Sequence, residues 1–216
     1  MLCCYAKQIK ILTSWMQPSL PPGRKIHPDF ENPIDDVLIR FAGYISPALK
    51  ATGHTPNVLT VYSMLFGLGS IWALWHGKKV AFAALYFASY FFDCVDGDFA
   101  RRYNMVTRLG DALDHISDII LYLGVSVVMW LKYEWPTYML VPWAISMTLL
   151  LSHAGCQQKA YKLIKPRDDP PESLDLTQHM CLQPDDPHAA MRLTRWFGFG
   201  TAQLLFVLIV LCARRK

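Results

Sequence analysis

Residues 93–118 read DCVDGDFARRYNMVTRLGDALDHISD, and this stretch carries more information about the protein than any other part of the chain. Four of its aspartates, Asp93, Asp96, Asp114 and Asp118, lie inside or beside segments that are otherwise apolar enough to enter a membrane. A carboxylate in such a segment is costly to desolvate, so it usually marks function. The stretch therefore predicts a membrane protein whose functional site is built from carboxylates.

Composition agrees with a membrane protein. Hydrophobic residues make up 53% of the 216 residues, and they are arranged in blocks rather than spread evenly. The net charge of +4 is modest, which argues against nucleic acid as a partner. The basic residues cluster beside the apolar blocks, as expected for the headgroup region of a bilayer. Membrane lipids are therefore the expected surroundings.

The apolar blocks predict an all-α integral membrane protein, a bundle of about five to six transmembrane helices. Each block approaches the roughly 20 residues that a helix needs to cross a bilayer. The blocks cover residues 58–75, 80–99, 109–131, 136–152 and 196–212. Residues 163–191 are polar and rich in proline, so we expect a loop there with one short helical turn.

An amphipathic helix precedes the bundle and is predicted to lie along the membrane surface. Asn32 is a suitable cap and Pro33 a suitable first helical residue. Apolar side chains then recur at helical spacing, and polar ones take the other side. The apolar set is Ile34, Val37, Leu38, Phe41 and Ile45, and the polar set is Asp35, Asp36 and Arg40. Pro47 and Gly53 are expected to end this helix. The alternative is a helix packed on another protein domain.

These elements divide the chain into an N-terminal tail (1–28), the amphipathic helix (29–53) and a membrane domain (54–216). Lys and Arg are more frequent on the side that holds the N-terminus and the aspartates, so this side is expected to face the cytosol. The basic C-terminal residues 214–216 do not fit that rule. No cleavable signal peptide is evident, and the endoplasmic reticulum is the default expectation for a multi-spanning membrane protein without a clear targeting signal.

The six cysteines show neither a paired zinc spacing nor the disulfide framework of a secreted protein. Those in apolar segments, such as Cys156, are expected to serve as small apolar residues.

The spacing of the aspartates predicts a metal site. Asp93 and Asp96 are three residues apart and Asp114 and Asp118 are four apart, so each pair shares a helix face. The short connection lets the two helices run antiparallel, which allows the pairs to meet. Converging carboxylates suit Mg²⁺ or Mn²⁺, and two ions about 3.5–4 Å apart can clamp a diphosphate. Taken singly, each aspartate is as well explained by helix capping or solvation.

The stretch fits a fixed pattern, Asp-x2-Asp-Gly-x2-Ala-Arg-x8-Gly-x3-Asp-x3-Asp. Its fixed positions are Asp93, Asp96, Gly97, Ala100, Arg101, Gly110, Asp114 and Asp118. The pattern resembles the signature of the CDP-alcohol phosphatidyltransferases, membrane enzymes of phospholipid synthesis. Upstream, residues 55–60 (TPNVLT) are similar to that family's Pro-Asn-x-x-Thr element at the start of the first helix. The resemblance implies an enzyme with six core helices, often a homodimer.

The resemblance also implies a role for each matching residue. Asp93 and Asp114 would contact both of two metal ions. Asp96 would contact one ion, and Asp118 would contact the other while accepting a proton. The cytidine diphosphate part of the donor would be held by Asn57, Thr60, Gly97, Arg101 and Thr107.

The implied reaction transfers a substituted phosphoryl group from a CDP-alcohol to an acceptor hydroxyl and releases CMP. The donor would be CDP-diacylglycerol, CDP-choline or CDP-ethanolamine. His115 follows Asp114 as in the branch that uses CDP-choline or CDP-ethanolamine, although that branch's other local features are absent. A Mg²⁺-dependent membrane prenyltransferase would show a different aspartate spacing and a larger helical core. A small cation transporter would give no reason for the Gly-x2-Ala-Arg portion.

Overall fold

The computed structural model describes residues 20–164, 173–182 and 185–216, so most of the predicted N-terminal tail lies outside the described residues. Within these ranges the chain is mostly helical, and five segments are long and apolar enough to cross a membrane. The predicted all-α membrane bundle is therefore confirmed.

The described part of the chain contains seven α-helices. In chain order they are α1 (Pro33–Ala51), α2 (Pro56–Trp75), α3 (Lys79–Arg102), α4 (Arg108–Lys132), α5 (Leu140–Ile164), α6 (Pro187–Thr194) and α7 (Phe199–Cys212). α2, α3 and α4 each form one candidate span. α5 and the short 3₁₀ helix before it, Thr137–Met139, form the fourth. The fifth joins α6 to α7 through the 3₁₀ helix Arg195–Phe197.

Small side chains let the first spans approach closely, as is common between membrane helices. Ser63 on α2 and Ser89 on α3 each donate a hydrogen bond to the other's carbonyl oxygen, at 2.9 and 2.8 Å. Gly67 lies against Leu121 of α4, and a Cβ at this glycine would fall 2.1 Å from a Leu121 methyl carbon. α3 and α4 are thereby both held against α2, which fixes the helices that carry the four aspartates.

The chain closes on the side of the bundle away from the aspartates. Two short strands, β1 (Tyr133–Glu134) and β2 (Arg214–Arg215), pair antiparallel there. Lys79 donates to the carbonyl oxygen of Leu211 at 2.9 Å. The basic C-terminus is thus built into the end of the bundle, and its three charged side chains are exposed there.

The predicted faces of α1 are partly wrong. Asp35 was expected on the outer, polar side, but it is only 6% exposed. Tyr90 of α3 donates a hydrogen bond of 2.5 Å to its Oδ1, which satisfies the buried carboxyl. Burial raises the pKa of Asp35 to about 6. Val37 and Phe41, which belong to the predicted apolar face, are exposed together with Tyr44 and form an outward apolar stripe, as expected of a helix that lies along a membrane surface.

Of the two residues expected to end α1, Pro47 is wrong, because the helix continues through this proline to Ala51, whereas Gly53 is confirmed, since it follows the cap residue and has a φ of 79°. Pro47 is exposed, and its fixed φ is compatible with a helix. At the other end the prediction is confirmed, since the Asn32 side chain accepts a 3.0 Å hydrogen bond from the Ile34 amide. The Asn32 amide group also donates to Thr201 of α7 at 2.8 Å, so the cap fastens α1 to the last span.

The polar region before the last span contains more structure than one helical turn. Its described residues form the 3₁₀ helix Ser173–Met180 and most of α6. Cys156 of α5 is joined to Cys181 by a disulfide, so the expectation that it serves only as a small apolar residue is wrong. The neighbouring Gly155 permits this approach, because a Cβ there would lie 2.4 Å from the carbonyl oxygen of Thr177.

Candidate functional site

Three of the four motif aspartates meet in space. Asp93 comes from the second half of α3, and Asp114 and Asp118 come from the first half of α4. One carboxylate oxygen from each can be chosen so that all three lie within 4.8 Å of one another. The antiparallel pairing expected from the short connection therefore brings these carboxylates together.

Asp96 lies outside this group of three and has its own partner. Its carboxylate accepts a hydrogen bond of 2.6 Å from the hydroxyl of Thr60 on α2. Asp96 is 5% exposed. The residue thus connects the aspartate-bearing helices to the start of the first span.

The three grouped carboxylates fit a divalent cation. Oδ1 of Asp114 is buried and has no hydrogen-bond partner among the residues that the structure describes. A buried carboxylate oxygen left in this state is costly, and neighbouring carboxylates repel it further. A hard cation such as Mg²⁺ would satisfy the unpaired oxygen and offset the repulsion. The donor set, which consists of carboxylate oxygens, is the kind that such ions prefer.

Two cavities adjoin the aspartates, one on each side. The first measures about 210 Å³; we call it the aromatic cavity because Tyr86, Tyr90, Tyr122, Trp143, Phe199 and Phe206 contribute to its wall. Asp93 and Asp118 face it. The second measures about 150 Å³; we call it the basic cavity because Lys25 and Arg101 contribute to its wall. Asp96 and Asp114 face that one. The four carboxylates therefore stand between the two spaces.

The residues predicted to hold the nucleotide all line the basic cavity. They are Asn57, Thr60, Gly97, Arg101 and Thr107. They come from α2, α3 and the residue that caps α4, so three separate parts of the chain converge here. The Thr107 hydroxyl caps α4 by accepting a 3.0 Å hydrogen bond from the Gly110 amide.

The glycines of the motif keep the basic cavity open. A Cβ at Gly97 would lie 3.1 Å from a guanidinium nitrogen of Arg101. A Cβ at Gly110 would lie 3.1 Å from the Thr107 hydroxyl and 3.3 Å from the side-chain oxygen of Asn57. A side chain at either position would require these polar groups to shift by a few tenths of an ångström.

Two residues of the basic cavity were missed by the sequence analysis. Lys25 belongs to the predicted tail, and Tyr161 lies near the end of α5. The ammonium of Lys25 is 5.3 Å from the centre of the Tyr161 ring. Arg101 donates a 2.7 Å hydrogen bond to the carbonyl oxygen of Gly23, which holds the chain beside Lys25 against α3. The only available signal was the basic pair Arg24 and Lys25, which does not reveal this fold-back.

Asp98 was also missed, and its surroundings indicate a structural role. It is fully buried and accepts two hydrogen bonds of 2.9 Å from Arg102, one turn later. The Ser46 hydroxyl of α1 donates a third at 3.1 Å. The ion pair explains why α3 continues to Arg102, three residues beyond the predicted end.

Comparison with known proteins assigns the family. No curated protein and no solved structure matches the chain significantly. The family model described as CDP-alcohol phosphatidyltransferase matches residues 53–165, a range that contains the four aspartates and most of the basic cavity. This match covers more than half of the chain, which therefore belongs to the CDP-alcohol phosphatidyltransferase family.

Proposed function

We propose that this protein transfers a substituted phosphoryl group from a CDP-alcohol to an acceptor hydroxyl and releases CMP, as a step in phospholipid synthesis. The observation that carries the proposal is the position of the four aspartates between two cavities. Such an arrangement lets a nucleotide donor and an acceptor approach the same carboxylates from opposite sides. It also explains why the nucleotide-binding residues implied by the family signature share one cavity.

The basic cavity is the proposed site of the cytidine diphosphate. Arg101 can hold a phosphate oxygen by paired hydrogen bonds, and Lys25 adds a second positive charge on the same wall. Gly97 allows the phosphates to approach the backbone of α3. Asn57, Thr60 and Thr107 offer neutral polar groups for the rest of the nucleotide. Three carboxylates, Asp96, Asp111 and Asp114, share this wall with the two cations, so the proposed divalent ions would be needed to complete the charge for a nucleoside diphosphate.

The carboxylates are the proposed ligands of two Mg²⁺ or Mn²⁺ ions. Asp93 and Asp114 would hold both ions, Asp96 one of them and Asp118 the other. When bound, such ions neutralise the diphosphate and make the attacking hydroxyl more acidic.

Asp118 is the proposed proton acceptor. In the reaction the acceptor oxygen forms a bond to the phosphorus that carries the alcohol, and the bond from that phosphorus to the CMP oxygen breaks. CMP leaves with the electron pair, and the hydroxyl proton passes to Asp118. The side chain is well situated for this, because it faces the aromatic cavity while Asp114 faces the nucleotide side.

The other two function classes account for less of the site. A cation transporter needs the carboxylates but gives no role to Arg101 and the glycines around the basic cavity. A prenyltransferase needs metal and diphosphate but no pocket for a nucleotide. The cytosol-facing orientation, the endoplasmic reticulum and a homodimer stay predictions from the Lys and Arg distribution and the family resemblance.

Release of CMP by the purified protein tests the proposal. CDP-diacylglycerol, CDP-choline and CDP-ethanolamine would each be supplied with Mg²⁺ and with inositol, serine, glycerol 3-phosphate or diacylglycerol. We expect at least one pair to release CMP, and we expect Asp118→Asn to lower the rate at least about 100-fold. Asp29→Asn, at an exposed carboxylate away from both cavities, is the control and should not change it. Absence of CMP with every pair would contradict the proposal.

A further inference from the structure

The aromatic cavity carries information about the acceptor. It is lined by residues from all five candidate spans, among them Ser63, Leu121, Met147 and Ala202. Asp118 is in its wall. If Asp118 takes the proton, the hydroxyl that donates it enters from this cavity, so the chemistry of the wall restricts which alcohol can enter.

Among the residues that the structure describes, the wall of the aromatic cavity contains no Lys, Arg or His, and its only charged side chains are Asp93 and Asp118. An acceptor with a phosphate or carboxylate group would be desolvated here beside Asp93 and Asp118. The wall offers it no side-chain cation beyond the proposed metal ions, whose charge the diphosphate of the donor would take up. The basic cavity on the other side does contain cations. An anionic acceptor therefore does not suit the aromatic cavity.

The hydroxyl groups of the wall are largely engaged within the protein. Ser63 and Ser89 donate to each other's carbonyl oxygens. Tyr86 donates to the side-chain oxygen of Gln203 at 2.5 Å, and Tyr90 donates to Asp35. A polyol would have to compete with these bonds for each of its hydroxyls, and groups that fail to find a partner are costly in a buried site.

One donor of the wall is left without a partner. Nε1 of Trp143 on α5 is buried and makes no hydrogen bond within the described ranges of the chain. It can donate to one oxygen of a bound molecule, such as an ester carbonyl. The remaining wall, with Leu121, Met147 and Phe206, is apolar and suits hydrocarbon.

From these features we infer that the acceptor is an uncharged lipid alcohol, whose hydroxyl points to Asp118 and whose apolar part next to that hydroxyl enters the aromatic cavity. The inference rests on the proposed function and narrows it. The hydroxyl oxygen bonds to the transferred phosphorus, the proton goes to Asp118, and the bond to CMP breaks. Because the acceptor supplies the lipid, the donor carries a small alcohol such as choline or ethanolamine on its CDP.

A matrix of donors and acceptors tests this inference with the full-length protein in nanodiscs. We expect CMP release from CDP-choline or CDP-ethanolamine with dioleoylglycerol, at a rate at least about 100-fold above that of CDP-diacylglycerol with inositol, serine or glycerol 3-phosphate. Faster reaction with a small polar acceptor would overturn the inference and leave the proposed function standing. No CMP from any pair would overturn both.

Two variants test whether the lipid occupies this cavity. Ala202→Phe fills part of it and should raise the KM for dioleoylglycerol about 10-fold or more, whereas the matched change Ala144→Phe, at an exposed position of α5, should not. Binding of CDP with Mg²⁺, measured by calorimetry, should be unchanged and reports that the variant is folded. Trp143→Phe makes a milder change and should raise the same KM about 5-fold with no effect on the KM of the donor. Unchanged acceptor KM in both folded variants would place the acceptor elsewhere.

Discussion

The hydroxyl of Thr60 donates a 2.6 Å hydrogen bond to the carboxylate of Asp96, and this bond joins the start of the first span to the aspartate helix α3. Thr60 also lines the basic cavity. Its function is therefore twofold in the proposed site, since it both touches the space for the nucleotide and holds a proposed metal ligand in place. A hydrogen bond to a buried carboxylate contributes more than one between neutral groups.

Removing this bond should impair turnover without unfolding the protein. Thr60→Val keeps the shape of the side chain, so we expect CMP release to fall about 10-fold or more and the required Mg²⁺ concentration to rise. A Mg²⁺ titration of the rate measures both effects. Thr148→Val is the matched control, because that hydroxyl lies on α5 away from both cavities and bonds only its own helix. A wild-type Mg²⁺ dependence in Thr60→Val would show that Asp96 needs no such support.

Lys25 should contribute to donor binding. Because its ammonium lies in the wall that also contains Arg101, Lys25→Ala is expected to raise the KM for the CDP-alcohol about 10-fold and to change kcat little. Lys25→Arg should recover most of the affinity. Lys78→Ala removes an exposed cation that stacks on Trp72, outside the basic cavity, and serves as the control. If Lys25→Ala has the same KM for the CDP-alcohol as the wild type, Lys25 does not contribute to donor binding.

These contacts show which parts of the protein could be predicted from its sequence. The fold and the meeting of Asp93 with Asp114 follow from local spacing on two consecutive helices, where apolar blocks and a short connection determine the geometry. Lys25 could not be predicted, since it reaches the cavity from residues far earlier in the chain. The same reason explains the error on Asp35, whose burial depends on Tyr90, 55 positions later. Helical periodicity places a polar residue on one face of a helix. It does not show whether a side chain from a distant part of the chain will contact that residue and satisfy its hydrogen bonds.

The buried ion pair of Asp98 and Arg102 should be important for stability. Asp98→Ala leaves the partly exposed Arg102 guanidinium without its two hydrogen bonds, and the loss of hydrogen bonds to a charged group costs about 1.5–3 kcal/mol. We expect a clearly lower midpoint of thermal unfolding in detergent, measured by the loss of the monodisperse peak in size-exclusion chromatography. Asp29→Ala, at an exposed aspartate, should leave the midpoint unchanged. A similar midpoint for both variants would contradict the structural role of Asp98.

Glu31 should make the protein less stable as the pH rises. Burial, followed by repulsion from Asp35, raises the pKa of Glu31 from 4.5 to about 7, although Arg24 and Arg101 oppose the shift. The folded state holds this proton more tightly than the unfolded state. The contribution of Glu31 to the free energy of unfolding is therefore largest below about pH 4.5 and decreases up to about pH 7. Over this pH range the free energy of unfolding decreases by roughly 3 kcal/mol.

Glu31→Gln removes the titration and tests this expectation. The variant should unfold at a higher temperature than the wild type at pH 8, and its midpoint should vary less between pH 4.5 and 7. Glu134→Gln, at an exposed glutamate on the opposite side of the bundle, should follow the wild-type profile. If the Glu31→Gln profile also matches the wild type, Glu31 does not carry the buried proton.

The disulfide between Cys156 and Cys181 tests the proposed orientation. It lies on the same side of the bundle as the basic cavity, next to Ile26. The proposed orientation exposes this side to the cytosol, where thiols are kept reduced. We therefore expect both cysteines to be free in living cells and to become bonded after purification in air. Alkylation at the moment of lysis, followed by mass spectrometry, measures this, with Cys94 as an unbonded reference. A bond already present at lysis would mean that the site faces an oxidising compartment instead.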